Sequence, residues 1–293
     1  MFLKKVKKRY FLIALSTASI LSCQSCSSGK DVEEAIIIPP APVVIVDKQW
    51  AFDANPTWAD EFDYTGLPSS TKWDYDLGGS GWGNNEKQLY TNALSNVSVD
   101  NGMLSITAKK ENMNGMSYTS TRLVTRNKLD VTYGRIEVKA KLPTGKGTWP
   151  AIWMLPTDRS YGDWPKSGEI DIMEHVGYDQ NRVHFSTHTE AYYFKINTAK
   201  TSSKIIADAS TSFHTYRVDW TPYAIRGYFD NIQVFEFVNE GTGYKVWPFD
   251  KRFHILLNVA VGGDWGGAQG IDDSIFPQKM EIDYVRYFKM IDK

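Results

Sequence analysis

From Trp50 onward the chain is a succession of short β-branched and aromatic segments, and no stretch is both amphipathic and long enough for a major helix. The segments include MLSITAK (103–109), GRIEVKAKL (134–142), EIDIMEHV (169–176), VHFSTHT (183–189), HTYRVDW (214–220), AIRGYFD (224–230), FHILLNVAV (253–261) and MEIDYVRYFKM (280–290). Turn residues separate them. The run Arg135-Ile136-Glu137-Val138-Lys139-Ala140-Lys141-Leu142 is apolar at every even position, the pattern of a strand with one buried face. Asp230-Asn231, between AIRGYFD and IQVFEFV, predicts a tight hairpin. About 245 residues of one composition, without repeat or internal linker, predict a single all-β sandwich of antiparallel strands rather than two domains.

The first 48 residues differ in kind. MFLKKVKKRY is basic, and FLIALSTASIL is apolar but, at about 11 residues, too short to span a bilayer. Residues 1–22 therefore read as a signal peptide. Ile20-Leu21-Ser22-Cys23 resembles a bacterial lipobox, which makes Cys23 the expected lipidation site and new N-terminus. The alternatives are a plain signal peptide or a disulfide between Cys23 and Cys26. Residues 23–48, with Pro39, Pro40 and Pro42, read as an extended tether, and residues 49–293 as the functional domain. The expected location is the outer membrane or cell surface, with a secreted or periplasmic protein as the alternative. The only expected membrane contact is the lipid anchor. Beyond residue 26 there is no cysteine, so the domain has neither disulfide nor thiol chemistry.

Charge excludes one class of partner. Lys plus Arg less Asp plus Glu is 33 − 34 = −1. Five cations (Lys4, Lys5, Lys7, Lys8, Arg9) belong to the leader, which leaves 28 − 34 = −6 for the rest. No basic field exists to attract nucleic acid.

The chemistry is concentrated in Ser167-Gly168-Glu169-Ile170-Asp171-Ile172-Met173-Glu174-His175. On a strand, Glu169 and Asp171 share a face, while Ile170 and Ile172 enter the core. Strict alternation would turn Glu174 inward, where an unpartnered carboxylate is costly. A β-bulge near Met173 would return it to the face of the other two. Roughly four steps of 3.3 Å would then separate the glutamates by about 13 Å at Cα. Side chains leaning toward each other can close this to the ~5 Å of a retaining glycosidase pair. Asp171, between them, can hydrogen-bond one carboxylate and hold the two at different pKa values.

Tryptophan supplies the second signal, because flat indoles stack on the C–H faces of sugars. Trp149 and Trp153 lie four apart, on one face of a regular strand. Trp82 and Trp265, like these two, are flanked by Gly, Asn or Pro and are expected in a cleft rather than the core. His184 and His188 raise a zinc hydrolase as a competitor, with His175 nearby. On a strand their Cα atoms are about 13 Å apart, too far for a shared ion at about 2.1 Å from each nitrogen. His188 is instead expected beside the catalytic acid or a sugar.

GTWPAIWMLP, GEIDIMEH, LNVAVGGDWGG and EIDYVRYF, in that order, resemble glycoside hydrolase family 16 across roughly residues 50–290. GWGNNEKQLYT (81–91) and TYGRIEVKAKLP (132–143) resemble its β-glucanase members as well. The resemblance implies a jelly-roll β-sandwich of two antiparallel sheets, with an open substrate cleft on the concave face. It implies a retaining mechanism with Glu169 as nucleophile, Asp171 as its helper and Glu174 as general acid/base. The form Glu-x-Asp-x-x-Glu is similar to that of laminarinases rather than lichenases. Expected substrate contacts are Trp82, Asn84, Trp149, Trp153, His188 and Trp265. No catalytic cofactor is implied. A structural Ca²⁺ away from the cleft is, with Glu61, Gly102 and Asp283 as its ligands; oxygen ligands of this kind suit the ion. The expected substrate is a β-1,3-glucan or a mixed-linkage β-1,3/1,4-glucan, cut internally by a monomer. Few arginines occur in the cleft segments, which favours neutral over sulfated polysaccharides. A surface glycan-binding protein and a transglycosylase are the competing functions, since fold alone does not separate them. The three carboxylates favour an enzyme over a pure binder.

Overall fold

The computed structural model describes residues 44–291. The predicted signal peptide, Cys23 and most of the predicted tether lie outside the described residues. The alternation at 135–142 becomes the strand Gly134–Lys141: Ile136, Val138 and Ala140 are fully buried, while Arg135, Glu137 and Lys139 alternate with them on the outer face. Asp230 and Asn231 both have positive φ, 43° and 66°, and close a two-residue hairpin between Phe229 and Ile232.

Two large sheets result. The first has seven strands, ordered Lys200–Ile205, Arg182–His188, Glu169–His175, Thr148–Pro156, Phe253–Val261, Arg122–Val124, Asp74–Tyr75. The second has ten, and at its centre Gly134–Lys141 lies between His214–Trp220 and Gln278–Phe288. The pairing is antiparallel except between Gln88–Tyr90 and Met116–Ser120, which run parallel. A small third sheet joins Ala51–Phe52 to Met290–Ile291. Among the described residues the only helices are two three-residue 3₁₀ turns, Phe194–Ile196 and Asp273–Ile275. The fold is the expected jelly-roll sandwich, with one parallel pair and one extra ribbon that the sequence did not reveal.

The sandwich is held by the inner faces of its sheets. Ile152, Met154, Ile170, Ile172, Ile255, Leu257 and Val259 from the first join Ile136, Val138, Val218, Trp220, Ile282 and Val285 from the second in one buried cluster. Each such side chain contributes about 1.5–3 kcal/mol by leaving water. Close approach is needed at Gly227, where an added Cβ would lie 2.4 Å from Phe185 Cδ1. The buried carboxylate of Asp60 is compensated by the Trp73 indole N–H at 2.7 Å, the Tyr64 hydroxyl at 2.9 Å and Lys72 Nζ at 3.2 Å.

Asp47, at the end of the segment read as the tether, bonds Arg226 at 2.9 Å. Arg226 alternates with buried Ile225 on the outer face of the ten-stranded sheet, so the last tether residues dock there. Of the residues expected to hold calcium, Glu61 accepts from Arg286 at 2.7 Å on each oxygen, and Asp283 Oδ2 is held by Lys139 at 2.7 Å.

Candidate active site

The cleft is floored by the outer face of the seven-stranded sheet, and a bulge decides what that face carries. Along the Glu169–His175 strand, Glu169 opposes His188, Asp171 opposes Ser186, and Glu174 opposes His184. Two residues of this strand, Ile172 and Met173, lie between Asp171 and Glu174, against one, Phe185, on its neighbour, so the register shifts between them. Ile172 and Met173 are both fully buried in the core. The predicted bulge is therefore present at Ile172-Met173, and Glu169, Asp171 and Glu174 share one face. Trp153, opposite Asp171, and Ala151, opposite Glu174, share it from the adjacent strand.

Each glutamate accepts an indole N–H. Trp164 Nε1 donates to Glu169 Oε2 at 3.0 Å, and Trp149 Nε1 donates to Glu174 Oε1 at 3.1 Å. Burial pushes all three carboxyls up from the ordinary carboxylate range. The charge of Glu174 raises Glu169 further; the Trp164 N–H, the Arg122 guanidinium and a hydrogen bond with Asp171 oppose that rise. Asp171 is pushed well up by burial, then by both glutamate charges, and its hydrogen bond with Glu169 acts in the same direction. Burial pushes Glu174 up to about 7 against the Trp149 N–H alone, and Glu169 stands at about 8.

His188 Nε2 lies 3.4 Å from Asp171 Oδ2 and 3.9 Å from Glu169 Oε1. Burial lowers its pKa to about 4, so it is neutral there. Glu169, Asp171 and His188 each bring a ligand-capable atom within 4.8 Å of the others. The histidine trio weighed from the sequence does not form: His175 lies on the inner side with its Nε2 accepting from Asn181 N at 3.2 Å. His184 instead packs edge-on to Trp265, centroids 4.9 Å apart.

The predicted tryptophans all reach this face or its walls. Trp149 meets Trp265 edge-on at 5.6 Å, and Trp153 Nε1 donates to Asn258 at 2.7 Å. Trp82 contacts Tyr90 at 5.4 Å, and Asn84 Nδ2 donates to Glu86 at 3.4 Å. Three residues beyond those predicted complete the floor. Arg122 is sandwiched between Trp82 (4.8 Å) and Trp153 (4.6 Å) and pairs with Asp76 at 3.2 Å. Glu86 is buried, is pushed up by burial, and is held by Gln88 and Tyr90. Trp164 is the third; its neighbour Pro165 was the available signal, by the same criterion that selected the others. Nothing in the local sequence marks Arg122. It adds one arginine from outside the motif segments, and Asp76 balances its charge.

Backbone strain positions the first carboxylate. Gly168, directly before Glu169, has φ +90°, and an added Cβ would lie 2.9 Å from Phe249 and 3.0 Å from Pro248. An L side chain is disfavoured there by both conformation and space. Gly168→Ala is expected to destabilise the fold by roughly 1–3 kcal/mol and to cut kcat more than it raises KM. Thermal melting and steady-state kinetics on the soluble variant check both.

An open groove with paired carboxylates and indole walls on a jelly-roll sheet is the site of a polysaccharide-cleaving enzyme. The chain belongs to the glycosyl hydrolases family 16, whose model matches residues 84–286. It is 49% identical to a β-glucanase of Rhodothermus marinus over 80% of this chain and 85% of that protein. Its structure is similar to that of the laminarinase from Rhodothermus marinus, with TM-score 0.80 and 47% identity over 83% of this chain and 99% of the other. It is also similar to the laminarinase of Flavobacterium sp. UMI-01, with TM-score 0.74 and 41% identity over 80% and 100% of the two chains.

Proposed function

We propose that the protein is an endo-acting, retaining β-glucan hydrolase that cleaves β-1,3-glucan, mixed-linkage β-1,3/1,4-glucan, or both. The observation that carries this reading is the bulge, which sets Glu169, Asp171 and Glu174 on one cleft-facing surface with an indole N–H on each glutamate. Protonated Glu174 donates to the glycosidic oxygen while ionised Glu169 attacks the anomeric carbon. The bond to the leaving sugar breaks, and a glycosyl-enzyme of inverted configuration forms. Glu174, now ionised, takes a proton from water, which attacks the same carbon and restores the configuration. Asp171 keeps Glu169 ionised and oriented. None of these steps calls on a metal.

Trp82, Asn84, Trp149, Trp153, His188 and Trp265 are the proposed sugar contacts. A neutral glucan suits a cleft in which Arg122 is already balanced by Asp76. The basic leader and Ser22-Cys23 support a lipid-anchored protein at the bacterial surface, and all three carboxylates come from one strand of one chain. Product analysis on laminarin, mixed-linkage glucan, cellulose and agarose, side by side, tests the substrate. Oligosaccharides from either of the first two are expected; products from agarose alone would overturn it.

A further inference from the structure

Two exposed aromatic side chains sit together beside Glu169. Trp164 is 38% exposed and Phe194 47%, with ring centroids 5.7 Å apart. Tyr193 meets Trp164 edge-on at 5.6 Å, and Lys195 Nζ lies 5.5 Å from the Trp164 ring and 5.7 Å from that of Phe194. Phe194 also meets His188 edge-on at 5.7 Å. The group is thus continuous with the reacting carboxylates through Trp164 and His188, both of which touch the Glu169–Asp171 pair.

Phe194 is presented by a tight turn, not buried by one. Asn197, at φ 56°, closes the 3₁₀ turn Phe194–Ile196 with its N–H on the Phe194 carbonyl. Thr198 Oγ1 donates to the Ala191 carbonyl at 3.0 Å and pins the loop. No residue of this turn is buried, so its aromatic side chain serves no core. The strand order shows what it can serve. On one flank of the Glu169–His175 strand the floor carries Trp149, Trp153, Arg122 and Trp82. On the other flank only Arg182–His188 and Lys200–Ile205 remain, and Ser186 and Thr201 face each other there across 2.9 Å. That flank has a polar floor, over which Trp265 meets His184 and Trp164 meets His188.

We propose that Phe194, backed by Trp164 and Tyr193, is the stacking platform for a glucosyl unit on the Arg182–His188 flank of the scissile bond. This deepens the β-glucan reading and rests on it. A sugar's C–H face covers the exposed ring, and the Lys195 ammonium beside it is a donor for hydroxyls. The cleft then grips its chain on both sides of the carboxylates, a condition for internal cleavage.

The test compares the unaltered protein, Phe194→Ala and Phe194→Tyr on laminari-oligosaccharides of two to six glucose units. For Phe194→Ala, kcat/KM on the longest chain is expected to fall about 10-fold, chiefly through KM. The loss should shrink as chains become too short to reach the platform, and the preferred cleavage position should move. Phe194→Tyr is expected to restore both. An equal loss at every chain length, or none at any, would overturn the platform while leaving β-glucan hydrolysis standing. Absence of cleavage by the unaltered protein would overturn the parent reading and the platform with it.

Discussion

Glu174→Ala and Glu169→Ala are each expected to lose nearly all β-glucan hydrolysis, roughly 10³-fold or more, while melting as cooperatively as the parent. Azide should then separate their roles. In Glu174→Ala, Glu169 still attacks a substrate whose leaving group needs no proton, and the α-linked glycosyl-enzyme forms. Azide entering the gap left by the base displaces Glu169 and yields the β-glycosyl azide. In Glu169→Ala no covalent intermediate is possible, so azide attacks the β-glycoside directly and yields the α-glycosyl azide. The opposite pair of anomers would exchange the two assignments, and full activity in either variant would remove that residue from the reaction.

The second large effect concerns Asp171. Burial and two glutamate charges push its carboxyl well up, and the expected role of the protonated form is to donate to Glu169. A neutral amide retains a donor, so Asp171→Asn is expected to keep far more activity than Asp171→Ala. We expect a loss of about 10² to 10³ for the alanine variant, which leaves Glu169 short of a charge-assisted bond in a buried site. The asparagine variant should stay within about 10-fold of the parent. Steady-state kcat of the two soluble variants decides between them. If asparagine were as damaging as alanine, Asp171 would have to act as an anion or by exchanging its proton, and the donor role would be wrong.

Much of this arrangement was legible because it is local. Alternation at 135–142, the Asp230-Asn231 hairpin and the cost of an inward Glu174 each follow from a few neighbouring residues. The bulge at Ile172-Met173 follows from the last of these. What could not be read is the long-range pairing that decides which charges are free. Arg286 reaches Glu61 across 225 positions. Arg122 enters the cleft because its strand pairs with Phe253–Val261, more than 130 residues later. The strand Lys200–Ile205 was invisible for a different reason. Its sequence, Lys-Thr-Ser-Ser-Lys-Ile, alternates half-buried and exposed residues with no apolar period, since it edges the sheet and covers little of the core. Trp164 reads in sequence as one more tryptophan in a turn, and only its position five residues before Glu169 places its N–H on that carboxylate.

The central claim is double displacement at Glu169, and the configuration of the first-formed product tests it most directly. Proton NMR of the reducing end, followed from the start of digestion of a β-glucan oligosaccharide, should show the β-anomer first. The α-anomer should appear only later, at the rate of spontaneous mutarotation. Initial release of the α-anomer would mean a single displacement by water, and Glu169 could not then be the nucleophile.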